Sequence, residues 1–220
     1  MPVAMIWGPP GSGKTVAATA SKEGNILHLC SDNSAVSLGM FDRKNVTIER
    51  VEHWIEQKDG TSCFSKQFTD GIASGKYETV VVDNLTDLKE LALQEIEDDG
   101  KLKDIRQIYQ AVYMALKRLT RQATNVKCNV VFTAWSMTDT FTDDSGEQKM
   151  RQMPNLPPKI VDQVLGLCNI VAFMNSKEKD GKRIWYCYSE GRPEFYGCKD
   201  QLFGRKVFMP ENIFKKPEEK

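Results

Sequence analysis

The chain has 220 residues, 40% apolar and 27% charged, enough for one large or at most two small soluble domains with a buried core. Thirty basic residues balance thirty acidic ones, so no global field draws it onto nucleic acid or a membrane, and a polyanion site has to be a local patch. No run approaches the ~18 apolar residues of a membrane span, and the N-terminus carries no secretory leader pattern, so the expectation is a cytoplasmic protein without membrane contact.

Val3-Ala4-Met5-Ile6-Trp7 is an apolar run that predicts a buried strand. It enters Gly8-Pro9-Pro10-Gly11-Ser12-Gly13-Lys14-Thr15, which fits the phosphate-loop pattern G-x-x-x-x-G-K-[ST] at every fixed position. Glycines let successive backbone N–H groups curl into an anion nest, and the helix that follows aims its positive end at the same point. Lys14 adds a cation for the terminal phosphates, and the Thr15 hydroxyl is placed to ligate Mg²⁺. Val16 to Ala20 continues as a helix of small residues. Strand, loop and helix in this order point to ATP with Mg²⁺, bound by residues Gly8 to Val16.

A turn at Lys22-Glu23-Gly24 precedes a second apolar strand, residues 26–30, which ends in the polar cluster Ser31-Asp32-Asn33-Ser34. Residues 46–51 alternate weakly, as an edge strand does, and 64–73 predict a short helix, with no reading for 56–62. The run 77–83 is rich in β-branched residues and ends in Asp83, the strand-plus-carboxylate arrangement that completes a phosphate-loop site by holding the Mg²⁺ shell beside Thr15. Two helices follow, 85–97 and 105–123, the second with Ile105, Ile108, Val112, Ala115, Leu116 and Leu119 on one stripe. A buried strand over 129–134 leads to Trp135 and Ser136.

Residues 138–157 are the longest polar stretch and predict a mobile functional loop. A short helix over 159–165, a strand over 169–174, a hairpin turn at Asp180-Gly181 and a strand over 183–188 come next, and the charged tail 215–220 reads as frayed. No linker or internal repeat divides the chain, so residues 1–214 are read as one domain. The six cysteines form no C-x-x-C pair, which favours reduced core thiols over a zinc site or disulfides.

The order of these elements resembles the RecA-like ATPase core, and more closely the compact bacteriophage ATPases that act as single-strand annealing recombinases. The residues that carry the resemblance are Gly8–Thr15, 80–86, 130–136 and 155–171. The resemblance implies an α/β fold, a mostly parallel central sheet flanked by helices with antiparallel strands near the C-terminus. It also implies DNA-stimulated ATP hydrolysis, single-stranded DNA as partner, a homo-oligomer, a single-strand binding protein as a further partner, and the cytoplasm of the host cell.

By the same resemblance Asp32 stands where the water-polarising acid belongs, a place usually held by Glu, and as a short polar residue it also suits a helix cap. Catalysis is thus assigned to Lys14, Asp32 and Asp83. The γ-phosphate sensor position holds Trp135, which accepts no hydrogen bond, with Thr133 and Ser136 nearby. The 138–157 stretch takes the place of the DNA-binding loop, with Lys149 and Arg151 as its cations among four acidic residues, while Arg192 and Lys199 are candidates to complete a neighbouring subunit's site. The sequence opens at the first core strand, without the segment through which RecA polymerises, so filament formation is not implied. A nucleotide kinase needs an arginine-rich lid, and here that segment offers only Arg151. A nucleotide-dependent scaffold or loader for replication proteins is the stronger alternative.

Overall fold

The computed structural model describes residues 1–40, 43–54, 63–102, 104–180 and 182–217. The strands are β1 (Val3–Gly8), β2 (Ile26–Cys30), β3 (Val46–Arg50), β4 (Thr79–Asp83), β5 (Asn129–Thr142), β6 (Gln148–Pro154), β7 (Ile170–Lys179), β8 (Lys182–Tyr188), β9 (Lys199–Asp200) and β10 (Val207–Phe208). The α-helices are α1 (Lys14–Ala18), α2 (Phe64–Ala73), α3 (Leu85–Asp98), α4 (Ile105–Ala123) and α5 (Pro158–Leu167), with 3-10 helices at Asn33–Met40 and Pro210–Asn212.

The strands form one sheet in the order β10-β8-β7-β1-β5-β4-β2-β3. The run from β7 to β3 is parallel, and β8, β9, β10 and β6 join antiparallel. Within this order β5 lies between the phosphate-loop strand and the strand that ends in Asp83. Strand alternation sorts the core into two layers. Met5, Trp7, Leu29, Val82 and Phe132 face helices α2 to α5, and Ala4, Ile6, Val81 and Val131 face α1 and the C-terminal segment. Small residues at Ala17 and Ala18 let α1 sit close to that second face.

The helix over 64–73 and the strand over 26–30 stand where periodicity puts them, and β3 is the edge strand expected. Helix α4 buries Ile108, Val112, Leu116 and Leu119, whereas Ile105, in its first turn, is 57% exposed. The hairpin at Asp180 forms, with β7 and β8 antiparallel and Asp180 at φ 54; Gly181 lies outside the described residues. All six cysteines are free and buried, and burial pushes the Cys168 and Cys198 thiols up to about 12.

Three expectations need correction. Helix α1 begins at Lys14 and ends at Ala18, two residues short of the predicted end. The segment 138–157 is no irregular loop: β5 runs on through Thr142 and pairs with β6 from Ser136↔Pro154 to Thr142↔Gln148, an arm of two strands. Its turn is closed by Asp143, whose Oδ1 accepts from the Ser145 and Glu147 N–H groups, and by Gly146 at φ 83, a left-handed position that glycine takes without strain. Alternating threonines across from β6 gave a strand that the acidic residues disguised. The tail is also tied down as far as Lys215, which pairs with Glu23 at 2.7 Å, while 218–220 of the predicted frayed segment lie outside the described residues.

Arg205 fastens that tail. Its Nε donates to the buried Asp200 carboxylate at 2.5 Å, and its Nη atoms donate to the carbonyls of Asn212, Ile213 and Lys215. Its guanidinium also lies over Phe203 and Phe208. Arg205→Ala should destabilise the fold by about 3–5 kcal/mol in urea unfolding, because it leaves a buried carboxylate unpaired. Arg205→Lys should restore little, since a point charge cannot reach the same set of acceptors.

Candidate nucleotide site

The site lies at the C-terminal ends of the parallel strands, where β1, β5, β4 and β2 present their loops to one cavity of about 480 Å³. Pro10, Gly11, Gly13 to Val16, Asp32, Asp83, Asn84, Trp135 and Trp185 are among the residues on its walls. Gly11 and Gly13 stand at φ 72 and 89, which lets the loop turn its N–H groups inward. Lys14 is 7% exposed, and its ammonium donates to the carbonyls of Gly8 at 3.0 Å and Pro9 at 2.8 Å. Burial lowers its pKa to about 8, against the opposing pull of Asp83 and Asp32.

Asp83 is the most heavily engaged group. Its Oδ2 accepts from Thr15 Oγ1 at 2.6 Å and from Ser34 Oγ and His28 Nε2 at 3.1 Å each; its Oδ1 accepts from Thr133 Oγ1. Burial alone would raise its carboxyl pKa, but the bonds from His28, Thr133 and Thr15 outweigh that and hold it below the ordinary carboxylate range. The donor set suits Mg²⁺, a hard cation that takes one or two protein oxygens and completes its shell with phosphate and water. Thr15 can offer a lone pair to the metal while its O–H stays donated to the Asp83 carboxylate. Among the described residues no cluster of three or more His, Cys, Asp or Glu forms a metal cage without such help.

Asp32 faces the same cavity and is held from two sides. Its Oδ1 accepts from the Ser34 N–H at 2.7 Å, opening the 3-10 helix, and its Oδ2 accepts from Asn84 Nδ2 at 2.8 Å. It is therefore a capping residue and a cavity carboxylate at once. Asn84 also caps α3, accepting from Asp87 N–H at 2.8 Å, so one side chain joins the loop after β4 to the loop after β2. Trp135 lines the cavity and its backbone N–H donates to Thr86 Oγ1, whereas Thr133 is committed to Asp83 and Ser136 starts the pairing with β6.

Lys149 and Arg151 lie on the β5–β6 arm, away from the cavity wall, and both have carboxylate partners. Lys149 Nζ is 2.5 Å from Asp143, and Arg151 donates twice to Asp139 Oδ2 while lying over Tyr196. Arg192 is exposed and bound to Glu190 at 2.6 Å. Lys199 sits on β9 beside the start of β7, at the opposite end of the strands from the loop, and donates to Gly166 O at 3.4 Å. Sequence reasoning missed His28 and Trp185, and it placed Ser34 in the polar cluster after β2 without giving it a partner. A lone histidine in an apolar strand was the available sign of the first, and nothing local marked Trp185.

As pH rises through about 8, free Lys14 loses its proton, and a bound polyphosphate favours the charged form. ATP binding at pH 8.5 should therefore take up a proton, and affinity should fall above that range. Calorimetry in two buffers of different ionisation heat measures the uptake; uptake no greater at pH 8.5 than at pH 6.5 would contradict it.

A family model described as an AAA domain (AAA_24) matches residues 2–199. Among solved structures, a KaiC-like protein from Pyrococcus horikoshii OT3 is similar at 12% identity and TM-score 0.47, over 85% of this chain and 77% of that one. The flagellar accessory protein FlaH from Methanocaldococcus jannaschii is similar at 10% identity and TM-score 0.48, over 94% of this chain and 83% of that one. No curated protein matches the sequence. With the loop, Thr15 and Asp83 assembled in one cavity and the model spanning nearly the whole chain, the protein belongs to the AAA domain family of phosphate-loop ATPases.

Proposed function

We propose that the protein hydrolyses ATP with Mg²⁺ and uses the cycle to act on single-stranded DNA in recombination or annealing, as a homo-oligomer in which Arg192 or Lys199 completes a neighbour's site. The supporting observation is the root of the β5–β6 arm. Thr133 of β5 donates to Asp83, and Thr86, just beyond Asp83, accepts from Trp135 N–H and donates to Asn155 O. The arm is thus bonded at its base to the chain segments that hold the metal-site carboxylate, so a change there on hydrolysis reaches Lys149, Arg151 and the 72% exposed Met150.

In this reading Lys14 bears on the β- and γ-phosphates, Thr15 and Asp83 hold Mg²⁺, and Asp32 orients water toward the γ-phosphate. The metal supplies charge neutralisation on the phosphates, and the protein supplies position. Asp32→Asn should keep ATP affinity within about threefold and lose most turnover, because the amide keeps shape and drops charge. Equal losses in affinity and rate would make Asp32 a cap alone.

The ion pairs of Lys149 and Arg151 with Asp143 and Asp139 favour a second reading, a nucleotide-gated scaffold or loader whose arm meets a protein. DNA would have to displace those carboxylates. Single-strand binding releases counterions with a log–log salt slope of about −0.7 per neutralised phosphate. Lys149→Ala with Arg151→Ala should flatten the slope by roughly 1.4 and lower DNA-stimulated hydrolysis, with ATP binding intact. A parent protein that binds no single-stranded DNA at any salt with ATP present leaves the scaffold reading.

A further inference from the structure

Helix α4 carries Arg106, Lys117, Arg118 and Arg121 and no carboxylate along its length. Its second half lies beside α5, and the two helices flank a groove of about 510 Å³. Met114, Lys117, Arg118 and Arg121 line one wall; Gln163, Val164, Gly166 and Leu167 line the other. Positions 114, 117, 118 and 121 share one face of the helix, because residues three and four apart are neighbours on its surface. No carboxylate lines the groove, and Lys117, Arg118 and Arg121 make no ion pair among the described residues. Asp162, the carboxylate of α5, is not on these walls and accepts from the Tyr196 hydroxyl.

Lys117 and Arg121 stand four residues apart, a spacing at which like charges repel and cost helix stability. Between the cations the groove is apolar: Met114 is 38% exposed, and Val164 and Leu167 line the facing wall. Cations around an aliphatic floor suit an acidic peptide whose apolar side chains enter the groove while its carboxylates meet the rim. Single-stranded nucleic acid would find the cations but no aromatic ring to stack on. The groove also lies at the opposite end of the strands from the nucleotide cavity. Asn169, just past Leu167, donates its N–H to Val3 O at the start of β1, and Arg121 is in the last turn of α4 before β5 begins. We propose that this groove docks an acidic peptide segment of another protein, with apolar side chains on Met114, Val164 and Leu167 and carboxylates on Lys117, Arg118 and Arg121. It is a contact surface separate from the β5–β6 arm and independent of the phosphate-loop reading.

The test is fluorescence anisotropy with a labelled short peptide of alternating Asp and Leu. One control peptide replaces Asp by Asn and drops the charge; the other replaces Leu by Ser and drops the apolar side chains. The parent should bind the Asp–Leu peptide roughly tenfold more tightly than either control, and less tightly as salt rises. Lys117→Gln with Arg121→Gln should lose roughly tenfold of that affinity. Its urea midpoint should stand at or above the parent's, because the repelling pair is gone, and its ATP binding should be unchanged. Met114→Ser should weaken the Asp–Leu peptide several-fold and leave the Asp–Ser control as it was. A parent that binds none of the three peptides, or all three alike, overturns the proposal, as does full affinity in the double variant. Oligo-dT that outbinds the peptides and is lost in the double variant would make this face a nucleic-acid contact. A parent dimer that the same changes dissociate would give it to a second copy. Either result overturns the peptide site.

Discussion

A buried carboxylate is stable only when its lone pairs are answered, and Asp83 is answered from four elements at once. Thr15 comes from α1, His28 from β2, Ser34 from the 3-10 helix after it and Thr133 from β5. Removing a charge so enclosed from water is expensive, and a set of donors is what makes it tolerable. The same bonds fix the mutual positions of the phosphate loop, the strand order and the 3-10 helix. Where Asp83 goes, the phosphate loop and the two flanking strands, β2 and β5, go with it.

The loops above the sheet repeat this pattern with weaker links. Asn84 joins Asp32 to the start of α3, and Thr86 joins α3 to the root of the arm. Each bond satisfies a polar group that would otherwise sit unpaired near the core. Together they make a continuous hydrogen-bonded rim from the end of β2 to the base of β6. Such a rim is the physical route by which occupancy of the cavity and the setting of the arm can influence one another.

Much of this was legible in the sequence because it rests on local rules. The loop motif, the apolar strands and the amphipathic α4 each declare themselves within a few residues, and Asp83 is conspicuous at the end of a β-branched run. The arm was illegible for a physical reason: its strands are stabilised by cross-strand pairs such as Asp139 with Arg151, so its pattern is mostly polar, without an apolar run, and resembles a loop. His28 and Trp185 act through partners 55 and 172 residues away in the chain, Asp83 and Gly13, and no periodicity reports such separations. The short strands β9 and β10 depend likewise on tertiary pairing and not on their own sequence.

The arm also carries an exposed edge. The inner part of β6 is covered, since Gln152 N–H donates to Glu194 O and Tyr196 N–H to Gln152 O. Beyond it, Gln148 to Arg151 continue with charged side chains at two of four positions. An open strand edge is a template for unwanted pairing, and charge is the common safeguard. Lys149 and Arg151, paired with Asp143 and Asp139, keep charged groups along that rim and make it a poor surface for another β-edge. Among the described strands, β3 and β10 stand at the two ends of the main sheet, where a strand of another copy would meet an edge away from the arm.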